Sequence, residues 1–513
     1  MKKRVFCGLL CLLLLLGLTG CSDWDETSQF DVLSQYYQSE NREFEPELTD
    51  FALPYCASES LDPITCSDGF QLTLSGLLYE GLYYLDETWV SHPMLASDCS
   101  YDAETFTYTI YLRDNAVFSD GSPITTADVV TSLRRAQAYA RYGARFADVD
   151  TMDTDNACVV IKMKSDYRLL PDLLDIPIVK MDTESRTVPI GSGPYVIDRD
   201  EKGSCLLPNE NWWQNKKLPF SRITLTSYNN QSSAVYAFSA RDIQLLSSDL
   251  TATNALTMTG SGDVIDAGSS TLHFIGFNTN RDLFIEPEFR RALSLAVERE
   301  SLTDTYLLGH AKPVQFPLSP DSALYPHDLE QAVSPNAFAQ AMDALDFCTG
   351  ENIRTATMIV NEDNGFKVAA AQAVAASMST CDLRVTVSVL PWEDYLAALL
   401  NEEYDLYYGE VRLTADWNFS DLMCAGGALN YSVYSEPELE LAMLSYLTSP
   451  EDQRSETMHS LCACFQKDMP IIPLCFTNRS LLLSAGAVDG VTPTAANPFY
   501  AMENWNVHIK GIT

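Results

Sequence analysis

Apolar and polar positions follow two rhythms along this chain. In TTADVVTSLRRAQAYAR, from Thr125, the residues Val129, Leu133 and Ala136 fall on one face at helical spacing, and Thr125 with Asp128 has the spacing of a capping box. A second helix is predicted in EPEFRRALSLAVERESL, where Pro287 suits a first turn and Phe289, Leu293, Ala296 and Val297 repeat at helical spacing. Further amphipathic helices are expected from Pro391 to Glu402 and from Pro450 to Lys467. Between them lie alternating or fully apolar runs that predict strands: Thr105 to Arg113, Cys158 to Met163, Leu272 to Thr279, Thr355 to Asn361 and Tyr404 to Arg412. Single strands flanked by helices in the second half predict an α/β chain, and no internal repeat is visible.

The first residues break both rhythms. Lys2, Lys3 and Arg4 lead into an apolar run from Val5 to Leu18, which is shorter than the roughly 18 to 20 residues that span a bilayer and reads as a signal peptide. Its end, Leu18-Thr19-Gly20-Cys21, resembles a bacterial lipobox, which implies that the Cys21 thiol accepts a lipid and becomes the first mature residue. The polar stretch that follows, to Glu47, is expected to be a solvated tether. A lipid-anchored protein on the extracytoplasmic face of the cell membrane is therefore expected, with about 490 residues beyond the leader and room for two or three cores of roughly 100 to 200 residues.

Charge narrows the partners. The chain has 33 basic and 70 acidic residues and a net charge of −37, and the leader removes three basic residues and no acid. Nucleic acid is excluded as a partner, because phosphate binding needs the opposite sign; the acidity is read as that of a soluble, monomeric surface protein. Of fourteen cysteines, Cys7 and Cys11 leave with the leader and Cys21 carries lipid, so eleven remain. Cys56 with Cys66 and Cys348 with Cys381 are candidate pairs in an exported chain. Neither Cys462-Ala463-Cys464 nor the six scattered histidines have metal-site spacing, so no metal and no cofactor is expected.

A series of strings then carries a resemblance. LYEGLYYLD from Leu78, HPMLA from His92, FTYTIYLRDNAVFSDGSPITTADVVTSLRRA from Phe106, PIGSGPYVI from Pro189, NWWQNKKLPFSRITL from Asn211, FIGFNTNRDLFIEPEFRRALSLAVERESL from Phe274, WEDYLAALLNEEYDLYYGEV from Trp392 and MPIIPL from Met469 occur in one order. Together with LDP at Leu61 they resemble the family 5 solute-binding proteins of ABC importers, the dipeptide, oligopeptide and nickel receptor group. The resemblance implies a two-lobe periplasmic-binding-protein-like α/β fold with an extra subdomain in the first lobe. It divides the chain into leader 1–20, tether 21–47, lobe I 48–272 with an insertion at about 66–186, lobe II 273–475, and a return to lobe I at 476–513. Crossings between lobes are expected near Leu272 to Asn278 and Pro470 to Phe476. Gly191 and Gly193 in IGSGPY are read as bends before a strand, since no Lys-Ser/Thr follows to make a phosphate loop.

The resemblance also implies a site. Peptide-binding relatives take the ligand's ammonium with an aspartate after the strand that follows the W..YL..L....YDL helix, and Asp416 matches it; a buried carboxylate and ammonium offset each other's lost hydration. Leu413 stands where many relatives carry Trp, and Phe419 and Ser420 where they carry an acid and Pro, so Trp417 is the candidate stacking surface. Arg412 is a candidate carboxylate partner, Asn278 a candidate contact at the first crossing, and Ser58 and Glu59, in CASESLDP, candidates along the first-lobe edge. The expected partners are a peptide and two membrane permease subunits. A receptor for a nickel chelate or other solute, or a peptide sensor without import, is the alternative. No Ser, His and acid arrangement supports an enzyme.

Overall fold

The computed structural model describes residues 48–155, 157–252, 262–347, 353–380 and 382–509; the leader, Cys21, the tether and the Cys348 and Cys381 pair lie outside the described residues. Three larger sheets organise the chain. The first has the order Ala52–Tyr55, Ile223–Ser227, Gly203–Pro208, Tyr195–Asp200. Its first two strands are parallel, so the chain makes a long excursion before returning beside its own start. Within that excursion an antiparallel sheet forms in the order Ala96–Asp102, Thr107–Leu112, Cys158–Met163, Val149–Asp155.

The third sheet has seven strands. Leu245–Ser248, Ile471–Ser484, Gly262–Phe277, Leu406–Arg412, Arg354–Asn361 and Leu383–Leu390 follow in that order, and Ala311–Pro313 also pairs with Ile471–Ser484. Arg354–Asn361 runs parallel to both of its neighbours, with helix Gly365–Met378 making one crossover and helix Trp392–Leu400 lying between the next two strands in sequence. Met358, Ile359 and Val360 are consecutive and all buried, as a strand covered on both faces requires. The two long strands, Gly262–Phe277 and Ile471–Ser484, pair antiparallel from Gly262 opposite Ser484 to Gly276 opposite Ile471, with register shifts between Gly268 and Leu272 and between His273 and Phe274.

Local chemistry explains most element boundaries. Helix Thr126–Gln137 starts with the full capping box, Thr125 Oγ1 accepting from the Asp128 N–H at 3.3 Å while Asp128 accepts from the Thr125 N–H at 2.9 Å. The segment expected to form one helix from Pro287 onward is two helices, Pro287–Ser294 and Arg299–Tyr306. The break is held by Arg299, which is buried and donates to the carbonyls of Pro473 at 2.7 Å and of Ser294 at 3.3 Å and to Ser294 Oγ at 2.8 Å. Gly191 and Gly193 serve close approach, because a Cβ would stand 2.2 Å from the Leu78 carbonyl oxygen at Gly191 and 2.5 Å from that of Leu77 at Gly193. A reciprocal arrangement occurs in the large sheet. Phe274 lies opposite Gly409 and Gly276 opposite Tyr407, each glycine leaving room for the facing ring, and the two rings meet edge to face at 5.7 Å. Cys56 and Cys66, a candidate pair from sequence, are free thiols: Cys56 Sγ lies 3.2 Å from Ser58 Oγ and Cys66 Sγ accepts from the Asp68 N–H at 3.3 Å.

Residues from the two halves of the chain meet around the loop that follows Cys158–Met163. The Arg168 N–H donates to the Leu447 carbonyl at 2.9 Å, and Arg454 donates to the Arg168 carbonyl at 2.6 Å and lies 3.5 Å from Asp172. Burial raises the Asp172 pKa to about 7; Arg454 opposes the shift without cancelling it, and Asp416 and Glu451 add to it.

Two outcomes are expected. Thr125→Ala removes the cap acceptor and lowers stability by about 1 kcal/mol, read as a shift of the urea midpoint. Folded Asp172 binds its proton more tightly than the unfolded chain does, so its contribution to stability is full below about pH 4 and is lost as pH rises to about 7. Asp172→Asn stays neutral throughout, so its stability relative to the parent protein should rise between pH 4 and pH 7.5 in thermal melts; a difference independent of pH would refute this.

Candidate functional site

The loop after strand Leu406–Arg412 is built to bury a carboxylate. The Leu413 N–H donates to the Ser270 carbonyl at 2.8 Å, which carries the strand direction past its last residue. Thr414 then starts a tight turn, with its carbonyl accepting from the Trp417 N–H at 3.1 Å and Trp417 in the left-handed region at φ +51°. Asp416, only 2% exposed, points inward from this turn. Its Oδ1 accepts from the Thr414 hydroxyl and from the Asn418 N–H at 3.4 Å, and its Oδ2 accepts from the Tyr167 hydroxyl of the first half. Its carbonyl accepts from Tyr446 Oη at 2.8 Å.

These donors are all neutral. Burial raises the Asp416 pKa, and the hydrogen bonds from Thr414 and Tyr167 draw it partly back. The Tyr167 hydroxyl is held far from ionisation by its own burial and by Asp416. Asp148 is also raised, through burial and then through Asp416, with Asp421 adding to the shift and Lys164 opposing it. Asp416 thus sits in an acidic pole with no cation bonded to it among the described residues.

Trp417 is buried and meets Trp89 edge-on at 5.0 Å and Phe476 at 5.9 Å. Trp89 is at the tip of the hairpin formed by Tyr83–Leu85 and Ser91–Pro93, also with positive φ, at +65°. Asp86 fixes that tip by accepting from the Thr88 and Val90 N–H groups at 2.8 and 3.0 Å. Bulky side chains seldom occupy this backbone region, and two in contact mark a turn pair held by the surrounding structure.

The remaining candidates separate. Arg412, at the end of its strand, is partly exposed, and its side chain has no hydrogen-bond or ion-pair partner among the described residues; lost hydration lowers its pKa most, and Arg145 and Arg141 add to the shift. Asn278 is fully engaged in chain geometry: its amide donates to the Glu402 and Tyr404 carbonyls at 3.1 and 3.0 Å, and its Oδ1 accepts from the Asn280 N–H at 3.1 Å. Ser58 and Glu59 are exposed on the turn after Ala52–Tyr55, where Gln71 donates to the Glu59 carbonyl at 3.1 Å. Sequence reasoning missed Tyr167 and Trp89. Asp86 and Thr88 do mark a turn in the sequence, but no local pattern links Tyr167 to an aspartate 249 residues away.

All six histidines lie beside a carboxylate or a tyrosine hydroxyl, and among the described residues no group of three or more His, Cys, Asp or Glu could hold a metal ion. No helix of the described residues is long and apolar enough to cross a membrane.

Comparison with known proteins gives this geometry a context. The chain is 24% identical over 474 residues to the periplasmic murein peptide-binding protein MppA of Escherichia coli strain K12, covering 82% of this chain and 87% of that protein. The glutathione-binding protein GsiB of the same strain is 23% identical over 312 residues, covering 55% of this chain and 61% of GsiB. Among solved structures, the unliganded open form of MppA superposes with a TM-score of 0.74 at 18% identity, covering 90% of this chain and 99% of that one. A nickel ABC transporter protein from Bacillus halodurans matches equally, with a TM-score of 0.74 at 18% identity over 90% of this chain and all of the other. The fold is therefore the two-lobe α/β fold of periplasmic binding proteins. The model of the bacterial extracellular solute-binding proteins, family 5 Middle, matches residues 91–423, and the chain belongs to the family 5 solute-binding proteins of ABC importers.

Proposed function

We propose that this protein captures peptides outside the cell by their free amino end and delivers them to two membrane permease subunits. The observation that carries this reading is Asp416: a buried carboxylate with neutral donors only, shared between the two halves of the chain. The Tyr167 hydroxyl occupies one side of that carboxylate. A ligand ammonium makes a stronger, charge-assisted bond and displaces it when the contacts of Tyr167 and Arg168 with the second half open. Closure then returns the two halves onto the peptide, a hinge motion through the crossings near 272–278 and 470–476. Backbone hydrogen bonds along Ser58 and Glu59 on one side, and the Trp89 and Trp417 pair on the other, hold an extended peptide. Family 5 proteins bind rather than catalyse, so capture and release are the whole of the chain's chemistry.

The division into lobe I, its insertion, lobe II and the return segment belongs to this reading, as does the monomeric state. So does the anchor: lipid on Cys21 keeps the receptor at the membrane face where its permease lies. A nickel chelate is a second reading, favoured by the partnerless Arg412, which suits a chelate's carboxylates. A peptide sensor would share the binding step without import.

Native mass spectrometry of the protein purified from its own cells, before and after mild unfolding, separates the two ligands. A spread of peptide masses is expected, and Asp416→Ala should lose it, with affinity for free-amino peptides weakened by about 2–5 kcal/mol. A single metal-containing mass that survives Asp416→Ala would move the protein to the chelate reading.

A further inference from the structure

The two long strands do not run past each other evenly. Their register shifts between Gly268 and Leu272, and side chains from both flanks of that shift meet beside it. Asp266 lies before the shift, opposite Ser480, whereas His310 leads into Ala311–Pro313, whose pairing with Thr477, Phe476 and Cys475 runs from the shift to its far side. His310 Nδ1 lies 3.0 Å from Asp266 Oδ2, so one pair spans the bend. Asp266 also accepts from Ser480 Oγ at 2.5 Å and from Asn478 Nδ2 at 3.3 Å, and the Asn478 N–H donates to the His310 carbonyl at 2.9 Å. A second pair stands close by. Lys312 Nζ lies 2.6 Å from Asp321 Oδ1, and Asp321 packs against Gly268, where a Cβ would stand 2.4 Å from its Oδ2.

Both pairs thus tie a residue on the near side of the shift to one on or beyond it, at the place where an irregular ladder lets two strands bend. They differ in that His310 carries charge only when protonated. Its bond to Asp266 raises its pKa above the usual histidine value; burial opposes the rise, and the charges of Asp266 and of Asp249, which follows Leu245–Ser248, add to it. The protonated ring therefore favours this setting of the bend, and that attraction is lost as pH rises through the raised pKa. The side chains of His310 and Asp266 are 21% and 24% exposed, so a proton reaches the pair without unfolding. A cavity of about 250 Å³ adjoins Asp266, Gly268, Lys312 and Asp321 and is bounded on its other side by Asp86 and Glu87 of the hairpin, which leaves room for the strands to shift. Asn478 Oδ1 is buried without a partner among the described residues, a bond that this setting leaves unmade.

We propose that His310 and Asp266, with the Lys312 and Asp321 pair beside them, form a pH-sensitive brace across this bend, tight in acid and slack in alkali, which sets how freely the two halves of the chain part. The link to the halves is Ser270, inside the same shift, whose carbonyl holds Leu413 at the start of the loop that carries Asp416 and so its contact with Tyr167. This proposal rests on the hinge motion of the peptide-receptor reading and adds a control on it.

Amide hydrogen exchange of the full-length protein without ligand tests it, at about pH 6 and about pH 9 and corrected for the intrinsic rate at each, so that the histidine is read on both sides of its titration. Protection of residues 264–272 and 413–418 is expected to fall by about two- to fivefold from the lower pH to the higher, the worth of a partly exposed ion pair, while Cys158–Met163 stays unchanged. His310→Asn keeps a donor near the place of Nδ1 but does not titrate, and should show the lower protection at both values. Asp321→Asn should lower protection at both values and keep their ratio, because the titrating pair remains. Protection independent of pH in the parent protein, a pH dependence that survives His310→Asn, or one that vanishes with Asp321→Asn would overturn the brace. A change at 264–272 that does not reach 413–418 would overturn its hold on the two halves. Peptide binding plays no part in these readings, so failure of peptides to bind would overturn the receptor reading alone.

Discussion

The antiparallel pairing of Gly262–Phe277 with Ile471–Ser484 is the constraint on which the rest of the structure depends. Two strands some 200 residues apart in sequence are zipped along their length, and elements from both halves are attached to them. Leu245–Ser248 pairs at one edge and Leu406–Arg412 at the other, so the position of Asp416 and Arg412 follows from this one ladder. The register shift between Gly268 and Leu272 is the local irregularity that lets the ladder bend. Ser270, inside that shift, uses its carbonyl to hold Leu413, which ties the loop that carries Asp416 to the same irregularity.

The electrostatics of the site invert those of the body. The protein carries a large excess of carboxylate, yet at Asp416 and Asp148 the acids are pushed toward their protonated forms by burial. Within the protein, Tyr167 and Thr414 supply neutral hydrogen bonds to Asp416. Those bonds satisfy the carboxylate's geometry and leave its charge unmatched.

What was legible in the sequence was what neighbouring residues decide. The capping box at Thr125 and Asp128 and the strand Cys158–Met163 stand where their patterns put them, because caps and short-range periodicity depend on residues a few positions apart. The helix from Pro287 carries an unbroken apolar stripe, and its break was illegible because it is made by Arg299 reaching the Pro473 carbonyl, 174 residues away. Family strings led to Asp416, whereas Arg412 was a candidate only by lying close to it in the chain, and Tyr167 and Trp89 fall between those strings and meet Asp416 and Trp417 only through space. Asn278 carried a side chain suited to either a ligand or a turn, and only the carbonyls of Glu402 and Tyr404 reveal that its amide is used within the chain.

The reciprocal pairs of the central sheet, Phe274 with Gly409 and Gly276 with Tyr407, have a consequence for how this sheet can evolve. Each ring occupies the volume that a side chain on the facing residue would need, and the two rings also pack against each other. None of the four residues can therefore drift alone: enlarging a glycine evicts a ring, and shrinking a ring empties a space that its glycine cannot fill. Inheritance should treat the four as one character, changing together or not at all, even though 128 residues of chain separate the two strands that carry them.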